Sequence, residues 1–205
     1  HRDALKGAGA IAAPGCYPTA ATLALRPLMD AGLIESTGII VDAMSGVSGA
    51  GRPPKPTTTF CAVDSDVQAY GLLDHRHTSE MDMNLGATVL FTPHLVPMSR
   101  GILATCYARP AVDGLSTATL MEVLIDRYED EPFVVASERS PSTKATLGTN
   151  AAHVTARYDE RTGTVLALAA IDNLGKGASG QAMQCMNLAL GLPETQGLAV
   201  VGTTP

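Results

Sequence analysis

The chain has 205 residues, of which 45% are hydrophobic and 17% are charged, so it can fill a hydrophobic core and is not a disordered segment. Lys and Arg number 14 against 20 Asp and Glu, and the net charge of −6 argues against a nucleic-acid partner or an anionic membrane surface. Aromatic residues are only 4%, and no apolar run reaches the roughly 18 residues of a membrane span, so we expect a soluble cytoplasmic protein.

Cysteine usage points to the same compartment. The four cysteines lie far apart and form no C-x-x-C pair, so neither a disulfide framework nor a metal site is expected and a reducing cytoplasm fits better. Cys106 lies in an apolar strand-like run and Cys185 on an apolar helix face. Both are therefore predicted to behave as small core hydrophobes.

The first third of the chain predicts one helix and one strand with long connections. Leucines at helical spacing predict a helix over residues 20–31, which Gly32 would end. The apolar run 38–44 predicts a strand that continues into a glycine- and serine-rich loop, 45–52. The Pro- and Thr-rich stretch 53–70 has no clear period and is predicted to be a long loop.

The remainder predicts more strands, two helices and a hairpin. Residues 153–158 and 164–168 flank an Asp-Glu-Arg-Thr-Gly turn, which is typical of a β-hairpin. Strands and helices do not alternate regularly, so we expect an α+β fold with a mixed or mainly antiparallel sheet and flanking helices. The other predicted elements are strands at 88–91, 101–108 and 133–136, a rigid loop at 93–100, and helices at 116–128 and 177–190, the first capped by Ser116.

The beginning of the sequence suggests a piece of a longer protein. It has no initiator Met and opens in a small-residue segment. No G-x-G-x-x-G pattern follows a strand near the start, so we expect that residues 1–205 lack a complete dinucleotide-binding domain.

Cys16 is the first candidate for chemistry. It follows Gly15 at the predicted start of a helix, where free N–H groups and the helix dipole favour a thiolate and would lower the pKa of the thiol. The same N–H groups could stabilise the oxyanion that forms when Cys16 attacks a carbonyl. A buried cysteine that only starts a helix explains the position alone equally well.

Residues 75–80 place two imidazoles, a guanidinium and a carboxylate close together. A thiol nucleophile needs a general acid–base, and His is the usual choice near neutral pH. Taken alone, the segment is more simply a polar turn or a helix start. Zinc is a weaker interpretation, because no second pair of ligands stands at a suitable spacing.

Three further segments carry groups that could bind anions or a cofactor. The loop 45–52 offers N–H and hydroxyl donors and ends in Arg52, although a flexible turn is the simpler explanation. Arg100 could hold a carboxylate bidentately, with a structural ion pair as the alternative. In the segment 172–182, Asn173 could bind a carboxamide and the helix start a phosphate, although its small residues also suit packing against another domain.

Five blocks of the sequence together resemble one enzyme family. In order they are G-C-Y-P-T from Gly15, S-G-V-S-G-A-G-R from Ser45, H-R-H-x-x-E from His75, F-T-P-H-L-x-P-x-x-R-G from Phe91 and N-L-x-K-G-A-x-G-Q-A from Asn173. From about Gly15 to its C-terminus the chain resembles the N-acetyl-γ-glutamyl-phosphate reductases of arginine biosynthesis. The resemblance is specific because the blocks stand in that family's order.

The resemblance implies a fold and a domain arrangement. Residues 1–205 would be a catalytic and dimerisation domain similar to those of aspartate-semialdehyde and glyceraldehyde-3-phosphate dehydrogenases. An N-terminal Rossmann domain that binds NADP would be missing, and the C-terminal helix, at about 177–191, would pack on it. The isolated domain would then bind NADP poorly, have little activity, and associate into dimers or tetramers as the family does.

The resemblance also implies a mechanism on a small anionic substrate. Cys16 would attack N-acetyl-γ-glutamyl phosphate and expel phosphate, and NADPH would reduce the thioester to N-acetylglutamate 5-semialdehyde. His77 is the first choice as acid–base and His75 the second, with Glu80 orienting one of the rings. The other implied site residues are Ser45, Ser48, Arg52 and Arg100 for the substrate and Asn173, Gly175 and Gly177 for the cofactor.

Two alternatives stay open at this point. The first keeps the chemistry and changes the substrate to aspartyl phosphate or a carrier-linked aminoadipyl or glutamyl phosphate, since one or two pocket residues can redirect specificity. The second is a non-catalytic oligomerisation domain. The reactivity of the Cys16 thiol separates these two classes.

Overall fold

The computed structural model describes residues 1–202 and contains one seven-stranded sheet. The strands are β1 (Ile39–Gly46), β2 (Gln68–Ala69), β3 (Val89–Val96), β4 (Ile102–Ala108), β5 (Val134–Ala136), β6 (Ala152–Asp159) and β7 (Thr164–Ile171). The helices are α1 (Arg2–Leu5), α2 (Cys16–Asp30), α3 (Phe60–Val63), α4 (His77–Leu85), α5 (Thr117–Tyr128), α6 (Thr143–Thr146) and α7 (Gly180–Ala189). A 3₁₀ turn, Val47–Ala50, follows β1, and a π-turn, Gly175–Ser179, precedes α7.

The sheet is mixed, as the sequence predicts. Its strand order is β2-β3-β1-β4-β7-β6-β5, with β1 parallel to β3, β5 parallel to β6, and the other four neighbouring pairs antiparallel. The predicted hairpin is formed by β6 and β7, whose register places Asp159 opposite Thr164. The α+β class is therefore confirmed.

Helix α2 runs beneath the centre of the sheet and carries the best-buried helical face. Ala20, Ala21 and Ala24 are fully buried together with Leu25 and Leu28. The small alanine side chains let the helix approach β4 and β7 closely, while the two leucines fill the space between. The helix ends where it was predicted to end, because the following glycine adopts a left-handed conformation with φ of +67°.

The predicted rigid loop 93–100 is wrong in its first half, because β3 continues through Val96. Pro93 has no N–H and would interrupt a central ladder. Its carbonyl accepts from the Tyr70 N–H at 3.1 Å, on the side away from β1. The missing N–H of Pro93 faces that same side, where only the two-residue β2 pairs with β3, so the strand tolerates the proline.

One helical segment agrees with a prediction and one differs. The helix start offered for residues 75–80 is confirmed, because α4 begins at His77 and runs to Leu85. The predicted helix 177–190 begins only at Gly180, after the π-turn. Of the two cysteines predicted to lie in the core, Cys106 is fully buried, whereas Cys185 on α7 is only partly buried.

One face of the sheet is covered by α2, α4 and α5, and the other is open. On the open face the central strands expose apolar side chains at adjoining positions, since Ile40 pairs with Leu90 on one side and with Tyr107 on the other. Ile40 is 38%, Met44 48%, Leu90 49% and Tyr107 37% exposed. Within residues 1–202, every helix is too short or too polar to cross a bilayer.

Candidate active site

Cys16 is the first residue of α2 and opens into a cleft of about 490 Å³, hereafter the Cys16 cleft. The preceding residue, Gly15, is the N-cap and has extended backbone angles. Two chain segments distant in sequence face the cysteine, one from the 47–58 region and one from the start of α4. The cleft is lined by Cys16, Tyr17, Gly49, Ala50, Lys55, Thr57, Thr58, Gln68, Ala69, Tyr70, His75, Arg76, His77 and Leu95.

The pKa of the Cys16 thiol is raised, which contradicts the expectation that the helix start would lower it. Burial disfavours the thiolate and is the largest effect. The backbone N–H groups of Tyr17 and Cys16 and the charge of Arg76 act in the opposite direction but do not outweigh burial. The cysteine is therefore held as a thiol that must lose its proton when it reacts.

His77 lies directly beside the residue that precedes Cys16. Its ring packs so closely on Gly15 that a Cβ at that position would overlap Nε2, so only glycine fits. Its Nδ1 is buried and has no hydrogen-bond partner among residues 1–202. Burial, followed by the nearby His75 and Arg76, lowers the pKa of His77 to about 4, so the ring is neutral at pH 7 and can accept a proton.

His75 is held in one orientation by its neighbour. Its Nδ1 accepts a hydrogen bond from the His77 backbone N–H at 3.1 Å, so the proton of the neutral ring is on Nε2. The rings of Tyr17 and Tyr70 pack edge-on against it. Burial and the charge of Arg76 lower the pKa of His75 as well.

Glu80 does not orient either imidazole, which corrects the role expected for it. Its Oε1 accepts from the backbone N–H of Gly15 at 2.8 Å. The predicted residues Cys16, His75, His77 and Glu80 are thus brought together, but the carboxylate fixes the backbone at the start of α2. This long-range contact joins α4 to the cysteine.

The two serines predicted to bind substrate lie outside the cleft lining. Ser45 is 1% exposed and donates to the Gly46 carbonyl. The Ser48 hydroxyl accepts from Asn173 Nδ2 at 2.9 Å, and Asn173 Oδ1 accepts from the Gly101 N–H at 2.7 Å. The side-chain amide of Asn173, which was predicted to bind a cofactor, therefore links the turn after β1 to the residue before β4.

The two predicted substrate-binding arginines are also placed elsewhere. Arg100 forms an ion pair of 2.9 Å with Asp172, whose side chain is fully buried, so the structural alternative is the correct one. Burial would raise the pKa of Asp172, but hydrogen bonds from Gly148, Gly175, Arg100 and Leu174 together lower it. The other predicted arginine, Arg52, lies in the loop after β1, is exposed and does not line the cleft.

Residues 175–180, which are the π-turn and the first residue of α7, have the pattern G-x-G-x-x-G between a strand and a helix. Sequence analysis overlooked this pattern. Each glycine faces atoms of this chain: a Cβ at Gly175 would overlap the Thr149 carbonyl, one at Gly177 would lie 2.8 Å from Cys16 Cβ, and one at Gly180 2.5 Å from an Asn150 oxygen. The backbone that would cradle a pyrophosphate is therefore filled, and the pattern does not fit a dinucleotide's phosphates. Gly177, one of the three predicted cofactor residues, lies against Cys16.

Lys55 and Arg76 are the charged cleft residues to which sequence analysis gave no role. Both line the cleft, and neither forms an ion pair among the described residues. Arg76 stood inside the H-R-H block but was overlooked in favour of the two histidines, whereas nothing local marks Lys55. No group of three His, Cys, Asp or Glu side chains within residues 1–202 is arranged to hold a metal.

Comparison with known proteins gives consistent results. The sequence model of the family described as "Semialdehyde dehydrogenase, dimerisation domain" matches residues 16–173. All of the chain aligns with proteins named N-acetyl-gamma-glutamyl-phosphate reductase: at 51% identity in Desulforudis audaxviator, 47% in Moorella thermoacetica and 48% in Mycobacterium avium. The chain spans only 60–61% of the length of these relatives.

Solved structures support the fold. Aspartate semialdehyde dehydrogenase II from Vibrio cholerae matches 87% of this chain, and the chain covers 61% of it, with a TM-score of 0.68 and 20% identity. A probable aspartate-semialdehyde dehydrogenase from Pseudomonas aeruginosa matches 86% of the chain, which covers 61% of it, with a TM-score of 0.69 and 18% identity. At these identities the likeness establishes the architecture alone.

Proposed function

The chain belongs to the semialdehyde dehydrogenase family through its dimerisation domain, and we propose that it is the catalytic portion of an N-acetyl-γ-glutamyl-phosphate reductase. The observation that carries the proposal is a cysteine at a helix start, in a cleft it shares with two histidines and with two cations that form no ion pair within residues 1–202. Such a cleft suits thiol attack on an anionic acyl compound. The 46–51% identity to the curated relatives named for this activity supports the choice of substrate.

The first chemical step follows from Cys16 and its neighbours. Cys16 Sγ attacks the carbonyl carbon of the acyl phosphate, the thiol proton passes to a neutral imidazole, and the C–O bond to phosphate breaks. His77 is the preferred base, because it is neutral at pH 7, lines the same cleft as Cys16 and packs against Gly15, the residue before the cysteine. The N–H groups of Cys16 and Tyr17 at the start of α2 stabilise the charge that develops on the carbonyl oxygen.

The resulting thioester on Cys16 is then reduced. NADPH, when bound, supplies the hydride. The imidazolium of His77 stabilises the carbonyl oxygen as it gains negative charge. When the C=O bond re-forms and the C–S bond breaks, the proton of His77 passes to Cys16 Sγ, so that the semialdehyde is released and the thiol and the neutral imidazole are restored. His75, held with its proton on Nε2, is the second candidate for this acid.

The cofactor is proposed to come with a part of the protein outside this chain. The π-turn does not cradle a pyrophosphate, and the chain spans about three fifths of the curated relatives. The exposed side chains of Met183 and Met186 on α7, and of Leu190 directly after it, offer a surface on which an NADP-binding Rossmann domain would pack. Residues 1–205 alone are then expected to show little turnover.

Association and location are proposed on similar grounds. The open face of the sheet exposes Ile40, Met44, Leu90 and Tyr107, an apolar surface that suits a second copy of the chain. The family description names a dimerisation domain, which supports a homo-oligomer. The four free cysteines support a reducing cytoplasm.

The experiment that tests the activity uses the parent protein with its remaining sequence. Phosphate-dependent reduction of NADP is followed with N-acetylglutamate semialdehyde and, separately, with aspartate semialdehyde. We expect turnover on the acetylated substrate in the wild type and a loss of at least 1,000-fold, roughly, in Cys16→Ala. Cys61→Ala is the matched control, because Cys61 is exposed and lies outside the cleft.

The outcomes separate the alternatives. Turnover on aspartate semialdehyde alone would keep the mechanism and change the substrate. No turnover on either semialdehyde, from folded protein that binds NADP, would favour a non-catalytic oligomerisation domain.

A further inference from the structure

The charge of the Cys16 cleft is opposite to that of the whole chain. The chain has a net charge of −6, yet Lys55 and Arg76 line the cleft and no Asp or Glu does. Its volume of about 490 Å³ lies in the range of roughly 300–1,000 Å³ typical of small-molecule sites. Two cations without ion-pair partners in such a cleft point to a ligand with more than one negative group.

Arg76 lies on the cysteine side of the cleft. It is the N-cap residue of α4, between the two histidines, and its side chain is exposed. It lines the cleft together with Cys16, His75 and His77, and its positive charge affects the pKa values of these three groups. A guanidinium can donate two parallel hydrogen bonds to a phosphate, so Arg76 suits a phosphoryl group attached to the carbonyl that Cys16 attacks.

Lys55 approaches the cleft from a separate segment. Thr58 closes a turn around it, since the Thr58 hydroxyl accepts from the Lys55 N–H at 3.0 Å and can donate to the Lys55 carbonyl at 3.3 Å. Lys55, Thr57 and Thr58 all line the cleft, so the turn brings one cation and two hydroxyl-bearing residues to the same wall. A point charge flanked by hydroxyl groups suits a carboxylate.

We propose that the Cys16 cleft contains two anion subsites: Arg76 binds the phosphoryl group, and Lys55 with Thr57 and Thr58 binds the carboxylate at the far end of the substrate. The proposal rests on the proposed function for the identity of the substrate. It explains why the cations predicted from sequence, Arg52 and Arg100, are not needed in the cleft. It also makes Lys55 a determinant of specificity among acyl phosphates.

The test measures ligand protection of Cys16 in the intact protein without cofactor. The probes are inorganic phosphate and N-acetylnorvaline, which carries one carboxylate and has a methyl group in place of the γ-carboxyl of N-acetylglutamate. The rate of alkylation of Cys16 by iodoacetamide is followed peptide by peptide, and the exposed Cys61 serves as the internal reference. Both probes are expected to slow alkylation of Cys16 and to leave Cys61 unchanged.

Single substitutions should separate the two subsites. In Arg76→Gln, half-maximal protection by phosphate is expected to need at least tenfold more phosphate, with protection by N-acetylnorvaline retained. In Lys55→Met the reverse is expected. Arg52→Gln is the matched control, since it removes an exposed cation near Lys55 that does not line the cleft. All three side chains are exposed, so the variants should fold, which thermal unfolding checks.

Three results would overturn the proposal. Protection of Cys16 by phosphate could be unchanged in Arg76→Gln, protection by the two probes could fall equally in both variants, or protection could fall to the same extent in Arg52→Gln. The last two would indicate a diffuse positive field without separate subsites. Separate loss of the two probes together with no turnover on N-acetylglutamate semialdehyde would contradict the proposed function while leaving the two subsites in place.

Discussion

At the scale of single residues, the site depends on how Cys16 is held. Its neighbour Gly15 has two contacts with α4: the His77 ring packs against its Cα, and its N–H donates to Glu80 Oε1. Both partners lie on α4, more than 60 positions later in the chain. The first turn of α2 is therefore fixed by a helix that no local pattern connects to it.

Removing Glu80 should loosen this attachment. Glu80→Ala leaves the Gly15 N–H without its acceptor and is expected to lower the free energy of unfolding by about 1–2 kcal/mol. Glu80→Gln keeps an oxygen acceptor and should lose less. Urea unfolding measures both, with Glu122→Ala on the exposed side of α5 as control. An effect of Glu80→Ala no larger than that of the control would contradict the assignment.

At the scale of elements, the π-turn is held against Cys16 by contacts at both of its ends. Asp172 accepts from the N–H groups of Leu174 and Gly175 and pairs with Arg100. Lys176 is 8% exposed, and its Nζ donates to Gln184 Oε1 at 2.6 Å. The Lys176 Nζ also lies 5.4 Å from the centroid of the Phe133 ring. Between these anchors, Gly177 is pressed against Cys16.

The buried lysine predicts a dependence of stability on pH. Burial lowers the pKa of Lys176 to about 8 from an ordinary value of 10.5, although nearby Glu194, Cys185 and Glu131 oppose the shift. Between these values the unfolded chain binds more protons, so the contribution of this group to stability rises with pH, by at most about 3 kcal/mol. Below pH 8 the full cost of burying the charge remains.

Urea unfolding of the wild type and of Lys176→Met, at pH 7 and at pH 10, measures this contribution. The wild type should gain stability relative to the variant as the pH rises, because the variant lacks the titrating group. Lys144→Met, at an exposed lysine of α6, should run parallel to the wild type. Parallel curves for Lys176→Met would show that the lysine keeps its ordinary pKa.

At the scale of the whole molecule, the open face of the sheet decides association. Isologous packing of this face against a second copy would bury Leu90, which lies beside Ile40 in the apolar surface. Leu90→Lys places a charge there and is expected to raise the dimer dissociation constant at least tenfold. Sedimentation velocity measures it, with Val112→Lys, 42% exposed on a loop, as control. Dimers equally tight in both variants would assign the interface elsewhere.

The fold was largely predictable because its main signals are local. Leucine spacing with a glycine stop defines α2, Ser116 caps α5, and a four-residue turn joins β6 to β7. Each signal is a backbone preference or a hydrogen bond between near neighbours. The extension of β3 through Pro93 was missed because it depends on tertiary structure. The short β2 pairs with only two residues of β3, so the missing N–H of Pro93 breaks no ladder on that edge.

The order of motifs along the sequence by itself determined the family resemblance, the cysteine at a helix start and the neighbouring histidines. Only the tertiary structure decided which charges meet the cysteine. Arg100 is neutralised by Asp172 and Arg52 lies outside the cleft, whereas Lys55 and Arg76 line it. A side chain's charge can be read from sequence, but its partner, its burial and the direction it faces depend on contacts between segments far apart in the chain. For the same reason, burial raises the pKa of the Cys16 thiol where the helix start alone predicted a lower one.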